Sequence, residues 1–381
     1  MSKVQFLGKM PDPFLKEDGT RMTPAEWEAN KGKIREKIVD IEYGGMPPRP
    51  EVVWYEDLNY GFIRDTEHTI YIRIHAGTEE KQISFILEMT VPWIKEKIKE
   101  QYEPLNEGEK YPVVLTGDGC YTRNMNQDVI DEICSRGYIA AKFNRLELAC
   151  DTKEKVGGLY DLYPGRDFTA ISAWAWGYQV CMDVFEQLPF VDEKEVAITG
   201  HSRGGKTVLL AATVDERIKY VCPNNSGNHG ANSHRCVVTE QGPNKQETER
   251  IKQMNKEFPT WMGRKLMEYQ DREQDLPYDM HYFGALIAPR YYLQCEGMQD
   301  YYINPRGAWQ NCAAVKECYR YLGCEGNAAG WFRPGKHRHQ LPDYIEFLNF
   351  IDNIRAGQPL ADHLKYNPYP DMELNFDWGE I

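Results

Sequence analysis

The sequence predicts an α/β fold in which helices cover both faces of a mixed, mostly parallel sheet. Over most of the chain, short apolar runs alternate with helical stretches, a pattern typical of parallel strands joined by crossover helices. Three earlier β-branched runs, at 52–55, 69–74 and 83–87, indicate antiparallel strands at the start of the same sheet. We therefore expect a three-layer α/β/α sandwich whose later strands are 111–115, 138–143, 196–199, 220–223 and 291–295.

The chain divides by pattern into an N-terminal helical extension, residues 1–50, and one catalytic domain, residues 51–381. In the extension, Thr23 is the predicted N-cap of a helix, and Glu26 completes a capping box with it. The polar stretch around 241–275 is interpreted as an insertion that covers the sheet. No repeat or long flexible linker interrupts the catalytic domain.

Composition and charge limit the class of partner. The chain of 381 residues has a formal net charge of -13, which repels nucleic acid and anionic lipid. We therefore expect a small-molecule or oligosaccharide ligand, with no nucleic-acid or membrane partner and no indicated oligomeric state. Its 10 cysteines are scattered without CxxC pairs, and the N-terminus lacks the apolar segment of a secretory signal. We expect reduced thiols and a cytoplasmic location.

A serine at a predicted strand-to-helix junction carries the first sign of chemistry. Ser202 follows the short buried strand 195–200 and precedes the predicted helix 206–213, with Gly200 and Gly204 on either side. A nucleophile elbow needs small flanking residues, because larger side chains would clash with the neighbouring strand and helix. The helix N-terminus also directs free N–H groups at developing negative charge. These features predict an α/β-hydrolase fold with Ser202 as the nucleophile.

Two other interpretations of this stretch remain open. Ser202 could simply cap the following helix, and residues 200–207 also match the spacing of a phosphate-binding loop that ends in Gly205, Lys206 and Thr207. Such a loop normally works with a magnesium-binding aspartate at the end of an apolar strand. We find no such strand in the sequence, so the nucleophile interpretation is favoured over nucleotide binding.

The base is expected in a loop after the last strand, because the triad of this fold runs serine, acid, histidine along the chain. His337 and His339 both lie in such a loop, before a predicted helix at 341–354. His337 directly follows a Gly-Lys turn and is favoured, with His339 as the alternative. Their H-x-H spacing suggests a metal, but no third ligand is near in sequence. We predict neither a metal nor a cofactor.

The acid and the oxyanion donors follow from the same topology. Asp300 ends a tight turn after the preceding strand, where its carboxylate can orient the histidine, and Glu296 is the alternative. Arg203 is expected to stabilise the oxyanion through its backbone N–H and its guanidinium, with a salt bridge at the helix start as the alternative role. Gly119 and Cys120 lie in a glycine-rich loop after an early strand, and this loop predicts a second oxyanion donor.

A larger pattern resembles a known family, the glucuronoyl esterases among the carbohydrate esterases. The resemblance implies the same sandwich, a triad of Ser202, His337 and an acid, Arg203 at the oxyanion hole, and a lysine, here Lys206, that contacts the sugar. A lysine on the helix surface is the alternative for Lys206. The motifs that carry the resemblance are Gly200–Lys206, Asp215–Arg217, Asn225–Gly227, Leu276–His281, Leu286–Arg290, Ala173–Gly177 and the segment from Trp27 to Gly44.

The chain differs from the family pattern at two positions. Many members carry their acid immediately before the Ser-Gly pair, where this chain has Asn225, and this difference supports Asp300 as the acid. The family tryptophan that packs near the uronate falls on His234. We assign Asn225 and His234 to the substrate-binding region, and Trp176 is a candidate for stacking on a sugar ring.

Together these observations predict a serine carboxylic ester hydrolase that works through an acyl-enzyme on an esterified sugar or plant-derived conjugate. One alternative is a glucuronoyl esterase proper, specific for 4-O-methylglucuronate esters. The same triad would also serve an acyltransferase or a peptidase. A non-catalytic binding protein with a hydrolase-like fold is the alternative from another class.

Overall fold

The computed structural model describes residues 3–58, 69–92, 108–121, 124–245 and 247–378. The strands are β1 (Lys3–Phe6), β2 (Val52–Asp57), β3 (Thr69–Gly77), β4 (Gln82–Thr90), β5 (Tyr111–Thr116), β6 (Ile139–Phe143), β7 (Val191–His201), β8 (Tyr220–Asn224), β9 (Cys236–Thr239), β10 (Tyr291–Gly297) and β11 (Ala328–Arg333). The α-helices are α1 (Pro24–Tyr43), α2 (Gln127–Ser135), α3 (Leu159–Leu162), α4 (Ala170–Phe185), α5 (Arg203–Val214), α6 (Ile251–Glu257), α7 (His281–Ile287), α8 (Pro305–Tyr321) and α9 (Leu341–Arg355).

One nine-stranded sheet organises the molecule, in the order β11-β10-β8-β7-β5-β6-β4-β3-β2. From β6 to β11 every neighbouring pair is parallel, whereas β2, β3, β4 and β6 pair antiparallel in succession. The predicted mixed, mostly parallel sheet is confirmed, including its antiparallel beginning. A separate two-stranded sheet joins β1 to β9.

The strands divide the apolar core into two layers, because successive side chains of a strand point to opposite faces. In β5, Val113 and Leu115 pack with α4, α5 and α7, while Val114 between them packs with α2 and α9. All three side chains are fully buried. The sheet is therefore covered by helices on both faces, as the predicted three-layer sandwich requires.

The N-terminal helix begins as its sequence predicts. The Thr23 hydroxyl accepts a hydrogen bond from the Glu26 N–H at 3.2 Å, and the Glu26 carboxylate accepts one from the Thr23 N–H at 2.8 Å. The helix ends at Gly44, whose φ of 69° is the left-handed conformation that glycine adopts easily. Because β1 pairs with β9, the N-terminal segment also contacts the region just before the predicted insertion. The boundaries at 50 and 241–275 stay predictions.

A buried carboxylate at the end of α1 ties the N-terminal segment to the rest of the protein. Glu42 accepts hydrogen bonds from Nδ1 of His229 at 2.7 Å, Nε2 of His234 at 3.3 Å and the Tyr278 hydroxyl at 2.6 Å. All four side chains lie in the interior. Since their partners are almost 200 residues or more away in the chain, these bonds hold α1 against distant loops.

The charges of this cluster follow from two opposing effects. Burial would raise the pKa of Glu42, but the two histidines outweigh it and bring this pKa well below its usual range. Burial would likewise lower the pKa of His234, yet the Glu42 carboxylate outweighs it and raises this pKa. Burial lowers the pKa of His229 to about 4. The structure thus favours a Glu42–His234 ion pair with a neutral His229.

All 10 cysteines are free thiols in this structure, and their reduced state in the cell and the cytoplasmic location stay predictions. Among the helices of the described residues, none has the length and apolarity that crossing a bilayer requires.

Replacing Glu42 with glutamine should lower the free energy of unfolding by about 3–5 kcal/mol, because the charge of His234 would remain buried without its partner. The measurement is urea unfolding near pH 5.5, between the ordinary pKa values of 4.5 and 6.5 for these groups. Glu36→Gln, on the exposed side of the same helix, is the matched control and should change stability by less than about 0.5 kcal/mol.

The pH dependence of this difference has a defined sign. A lowered pKa means that the contribution of Glu42 is present above 4.5 and is lost as the pH falls. A raised pKa means that the contribution of His234 is full below 6.5 and is lost as the pH rises through the raised value. The stability gap between wild type and Glu42→Gln should therefore shrink in acid, and a gap that grows there would contradict the ion pair.

Candidate active site

The predicted nucleophile lies on a strained turn between β7 and α5. Ser202 has φ 57° and ψ -118°, a conformation that side-chain-bearing residues rarely adopt and that costs about 1–3 kcal/mol. Its N–H donates to the Asn224 carbonyl of the neighbouring strand at 2.9 Å. A Cβ at Gly200 would lie 2.5 Å from the Gly204 carbonyl oxygen, so the turn closes only with glycine there. The strand-turn-helix context predicted for Ser202 is present.

The buried side chain of Asp118 supports this turn. Asp118 accepts a hydrogen bond from the His201 N–H at 2.7 Å and forms an ion pair with Arg145, whose side chain is almost fully buried. Burial lowers the pKa of Arg145 to about 10, so the guanidinium keeps its charge at neutral pH. A Cβ at Gly204 would overlap the Asp118 carboxylate. The predicted role of this loop was limited to its backbone donors, and the role of Asp118 was not predicted.

The predicted base and acid are in direct contact. Nδ1 of His337 lies 2.6 Å from Oδ2 of Asp300, and the Asn225 amide donates to the same oxygen at 2.7 Å. Asp300 is 7% exposed, whereas the His337 side chain is 39% exposed. A carboxylate at Nδ1 fixes the imidazole proton there and leaves Nε2 able to accept one. Asn225, predicted to bind substrate, instead orients the acid, and that prediction is corrected.

The alternative base and acid lie elsewhere. His339 is buried against the Tyr344 ring, with its Nε2 3.4 Å from the Thr199 hydroxyl, and burial lowers its pKa well below 6.5. Glu296 is also buried, which raises its pKa well above 4.5, and it accepts from the Gln294 amide at 3.2 Å. Neither residue is among those that line the cleft beside Ser202. The structure therefore brings His337 and Asp300 to the site and leaves the alternatives in the interior.

The nucleophile and the base share one open cleft of about 410 Å³. It lies at the carboxyl ends of the parallel strands, where ligand sites of open α/β sheets are usually found. Its volume falls within the range of small-molecule sites. Three of its side chains, from Tyr121, Asn124 and His201, were not predicted; the residues that line it are Cys120, Tyr121, Asn124, His201, Ser202, Arg203 and His337.

The arginine after the nucleophile is held at the rim of the cleft. The Arg203 guanidinium pairs with Asp151 and lies 4.6 Å over the Trp261 ring, and the Trp261 indole N–H donates to Asp151 at 2.9 Å. The backbone N–H of Arg203 lies at the start of α5, where it can donate a hydrogen bond to an oxyanion. No sequence motif marked Asp151 for this role.

Gly119 and Cys120 were predicted to complete the oxyanion hole, and the structure leaves only Cys120 as a candidate donor. Gly119 donates its N–H to the Phe143 carbonyl at 3.0 Å, so the prediction of Gly119 as an oxyanion donor is wrong. Cys120 lines the cleft, and burial raises the pKa of its thiol to about 11. The neutral thiol is thus no competing nucleophile near pH 7.

Lys206 occupies neither of the two places expected for it. Its ammonium group donates to the carbonyls of Ser226 and Asn228, lies 3.8 Å from Glu249, and the residue is 2% exposed. It is therefore neither a surface lysine nor in contact with the cleft. The phosphate-loop interpretation also fails, because that loop needs its lysine directed at the bound phosphates.

Two further candidate substrate residues lie away from the cleft. Trp176 is fully buried in α4, and its indole N–H donates to the Pro48 carbonyl at 2.8 Å. His234 is bound to Glu42 in the cluster described above. Both predictions are wrong for the same reason, since each side chain faces the interior and satisfies a buried partner there.

One group of side chains has the composition of a metal site. Glu42, His229 and His234 offer ligand atoms that all lie within 4.8 Å of one another. Each of these three side chains already takes part in the hydrogen bonds to the Glu42 carboxylate. This group was not predicted from the sequence, because 187 positions separate Glu42 from His229.

Comparison with known proteins places the chain among carbohydrate esterases. The family model described as "Glucuronyl esterase, fungi" matches residues 74–323. The carbohydrate esterase MZ0003 of an unknown prokaryotic organism is 30% identical over 91% of this chain and 90% of its own length. The 4-O-methyl-glucuronoyl methylesterase 1 of Wolfiporia cocos is 27% identical, over 89% of this chain and 78% of the relative.

A solved structure agrees with these relatives. The glucuronoyl esterase of carbohydrate esterase family 15 from Caldicellulosiruptor kristjansonii superposes with a TM-score of 0.81 at 25% identity, covering 97% of this chain and 96% of that one. The chain therefore belongs to the glucuronoyl esterase family of carbohydrate esterases and is a carboxylic ester hydrolase.

Proposed function

We propose that this enzyme hydrolyses esters of glucuronic acid or 4-O-methylglucuronic acid, with Ser202 as nucleophile, His337 as general base and Asp300 as the orienting acid. The contact of 2.6 Å between His337 and Asp300, beside Ser202 on one cleft, is the observation that carries the proposal. The substrate class rests on the relatives, which are named as 4-O-methyl-glucuronoyl methylesterases.

The first half of the reaction forms the acyl-enzyme. His337 takes the hydroxyl proton through Nε2 while the Ser202 oxygen attacks the ester carbonyl. The oxyanion of the tetrahedral intermediate accepts a hydrogen bond from the Arg203 N–H at the start of α5, and Asp300 stabilises the imidazolium. Collapse of the intermediate breaks the ester bond, and His337 returns the proton to the departing alcohol.

The second half regenerates the enzyme. His337 removes a proton from water, the hydroxide oxygen attacks the acyl carbon, and the bond to Ser202 breaks as the serine regains its proton. The substrate ester is uncharged and the product is a carboxylate. The Arg203 guanidinium at this rim is already paired with Asp151, and the net charge of -13 favours departure of the anionic product.

Ser202→Ala should lower kcat for benzyl D-glucuronate by about 10⁶-fold, because it removes the atom that forms the acyl-enzyme. Alcohol release from glucuronate and acetate esters is measured for the variant beside wild type. Ser135→Ala, at an exposed helix end, is the control and should keep wild-type activity. Retained activity in Ser202→Ala would rule out the proposed nucleophile.

Replacing His337 or His339 with glutamine should have two different effects, a loss of activity in one case and a loss of stability in the other. His337→Gln should lose activity by at least about 10³-fold with an unchanged melting temperature, since the ring is partly exposed. His339→Gln should lower the melting temperature, because its ring packs in the interior, and leave kcat of the folded enzyme within a few-fold. The opposite assignment of the two effects would make His339 the base.

Asp300→Asn should reduce kcat by about 10³–10⁴-fold, because an amide at this position no longer favours the required tautomer of His337. Glu296→Gln is the matched control, since burial raises the pKa of Glu296 and glutamine resembles the neutral acid. Steady-state kinetics of both variants on one substrate decide between them. If Glu296→Gln proved the more damaging change, Asp300 would not be the acid.

A further inference from the structure

A second histidine faces the same cleft and has no place in the mechanism above. His201 precedes the nucleophile and lines the cleft, and its ring centre lies 4.3 Å from that of His337. It was not predicted as a site residue. Its position beside both the nucleophile and the base raises the question of which atom it presents to a bound substrate.

A chain of hydrogen bonds fixes the proton of this ring. Asp343 pairs with Arg333, and its Oδ1 accepts a hydrogen bond from Nε of Arg333. It accepts from Nδ2 of Asn224 at 3.1 Å, which fixes the orientation of that amide. The amide oxygen of Asn224 then accepts from Nδ1 of His201 at 2.9 Å. The imidazole proton of His201 is therefore on Nδ1.

The opposite nitrogen is consequently an acceptor. Burial, and then the neighbouring His337 ring, lower the pKa of His201 to about 3, so the His201 ring is neutral at working pH. In a neutral ring with its proton on Nδ1, Nε2 carries a lone pair. No residue that the structure describes donates a hydrogen bond to Nε2 of His201, while its ring lines the cleft.

We propose that Nε2 of His201 accepts a hydrogen bond from a hydroxyl group on the acyl part of the substrate, which makes His201 a specificity-determining residue. The inference rests on the proposed function and deepens it. A sugar acid carries hydroxyl donors within a few bonds of its ester carbonyl, which is held at Ser202 next in the chain. An ester without hydroxyls excludes water from the cleft and leaves this acceptor unpaired, and a site built for a hydroxyl discriminates against such an ester.

The test compares two esters of the same alcohol and similar ring size. Benzyl D-glucuronate has hydroxyl donors, and benzyl cyclohexanecarboxylate has none. The quantity measured is the ratio of their kcat/KM values for one enzyme preparation, so that any loss of folded enzyme cancels. The same preparations also give KM and kcat separately for each ester.

Two variants separate the acceptor from its support. His201→Asn keeps a donor where Nδ1 stood but has no atom at the position of Nε2. His201→Gln reaches that position with an amide oxygen that can accept. His201→Asn should lower the ratio about tenfold, mainly through KM for the glucuronate ester, and His201→Gln should restore most of it.

Results that would contradict the role of His201 can be distinguished from results that would contradict the proposed function. A ratio that His201→Asn leaves unchanged overturns the inference while the proposed function stands. An equal loss on both esters also overturns it, because His201 would then act on the attacking water or on the nucleophile turn. A wild-type enzyme that hydrolyses neither ester contradicts the proposed function itself, and the inference with it.

Discussion

The carboxylate of Asp118 supports the turn on which the active site depends. It accepts a hydrogen bond from the N–H of His201 and packs against the Cα of Gly204. On the other side of β7, the Asn224 carbonyl of β8 accepts a hydrogen bond from the N–H of Ser202. These contacts hold Ser202 in a backbone conformation that is unfavourable in isolation. The buried Arg145 balances the charge of the carboxylate.

Strand order brings the remaining groups to this turn. β7 ends at the nucleophile, its neighbour β8 leads to Asn225, and the next strand, β10, leads to Asp300. The loop after the edge strand β11 carries His337. Because all four strands are parallel, their carboxyl ends lie at one edge of the sheet, and residues separated by up to 135 positions meet there. The sheet therefore determines the order of the groups, and short hydrogen bonds set their final positions.

What the sequence could predict depended on how local the signal was. The strands, the cap at Thr23 and the turn around Ser202 follow from periodicity and neighbouring residues, and the structure confirms them. Lys206, Trp176 and His234 could not be placed, because sequence position does not say whether a side chain faces the cleft or the interior. The Glu42 cluster and the chain from Asp343 to His201 join residues more than 100 positions apart and leave no motif.

If the reaction passes through an ester of Ser202, rapid-quench mass spectrometry of the wild-type enzyme can detect that intermediate. Benzyl D-glucuronate is mixed with enzyme, the reaction is stopped in acid during the first turnovers, and the digested protein is searched for an acylated peptide. We expect a glucuronoyl group on the peptide that contains Ser202, and it should decay as product accumulates. Steady release of alcohol with no acylated peptide at any time, or acylation of another residue, would rule out Ser202 as the nucleophile.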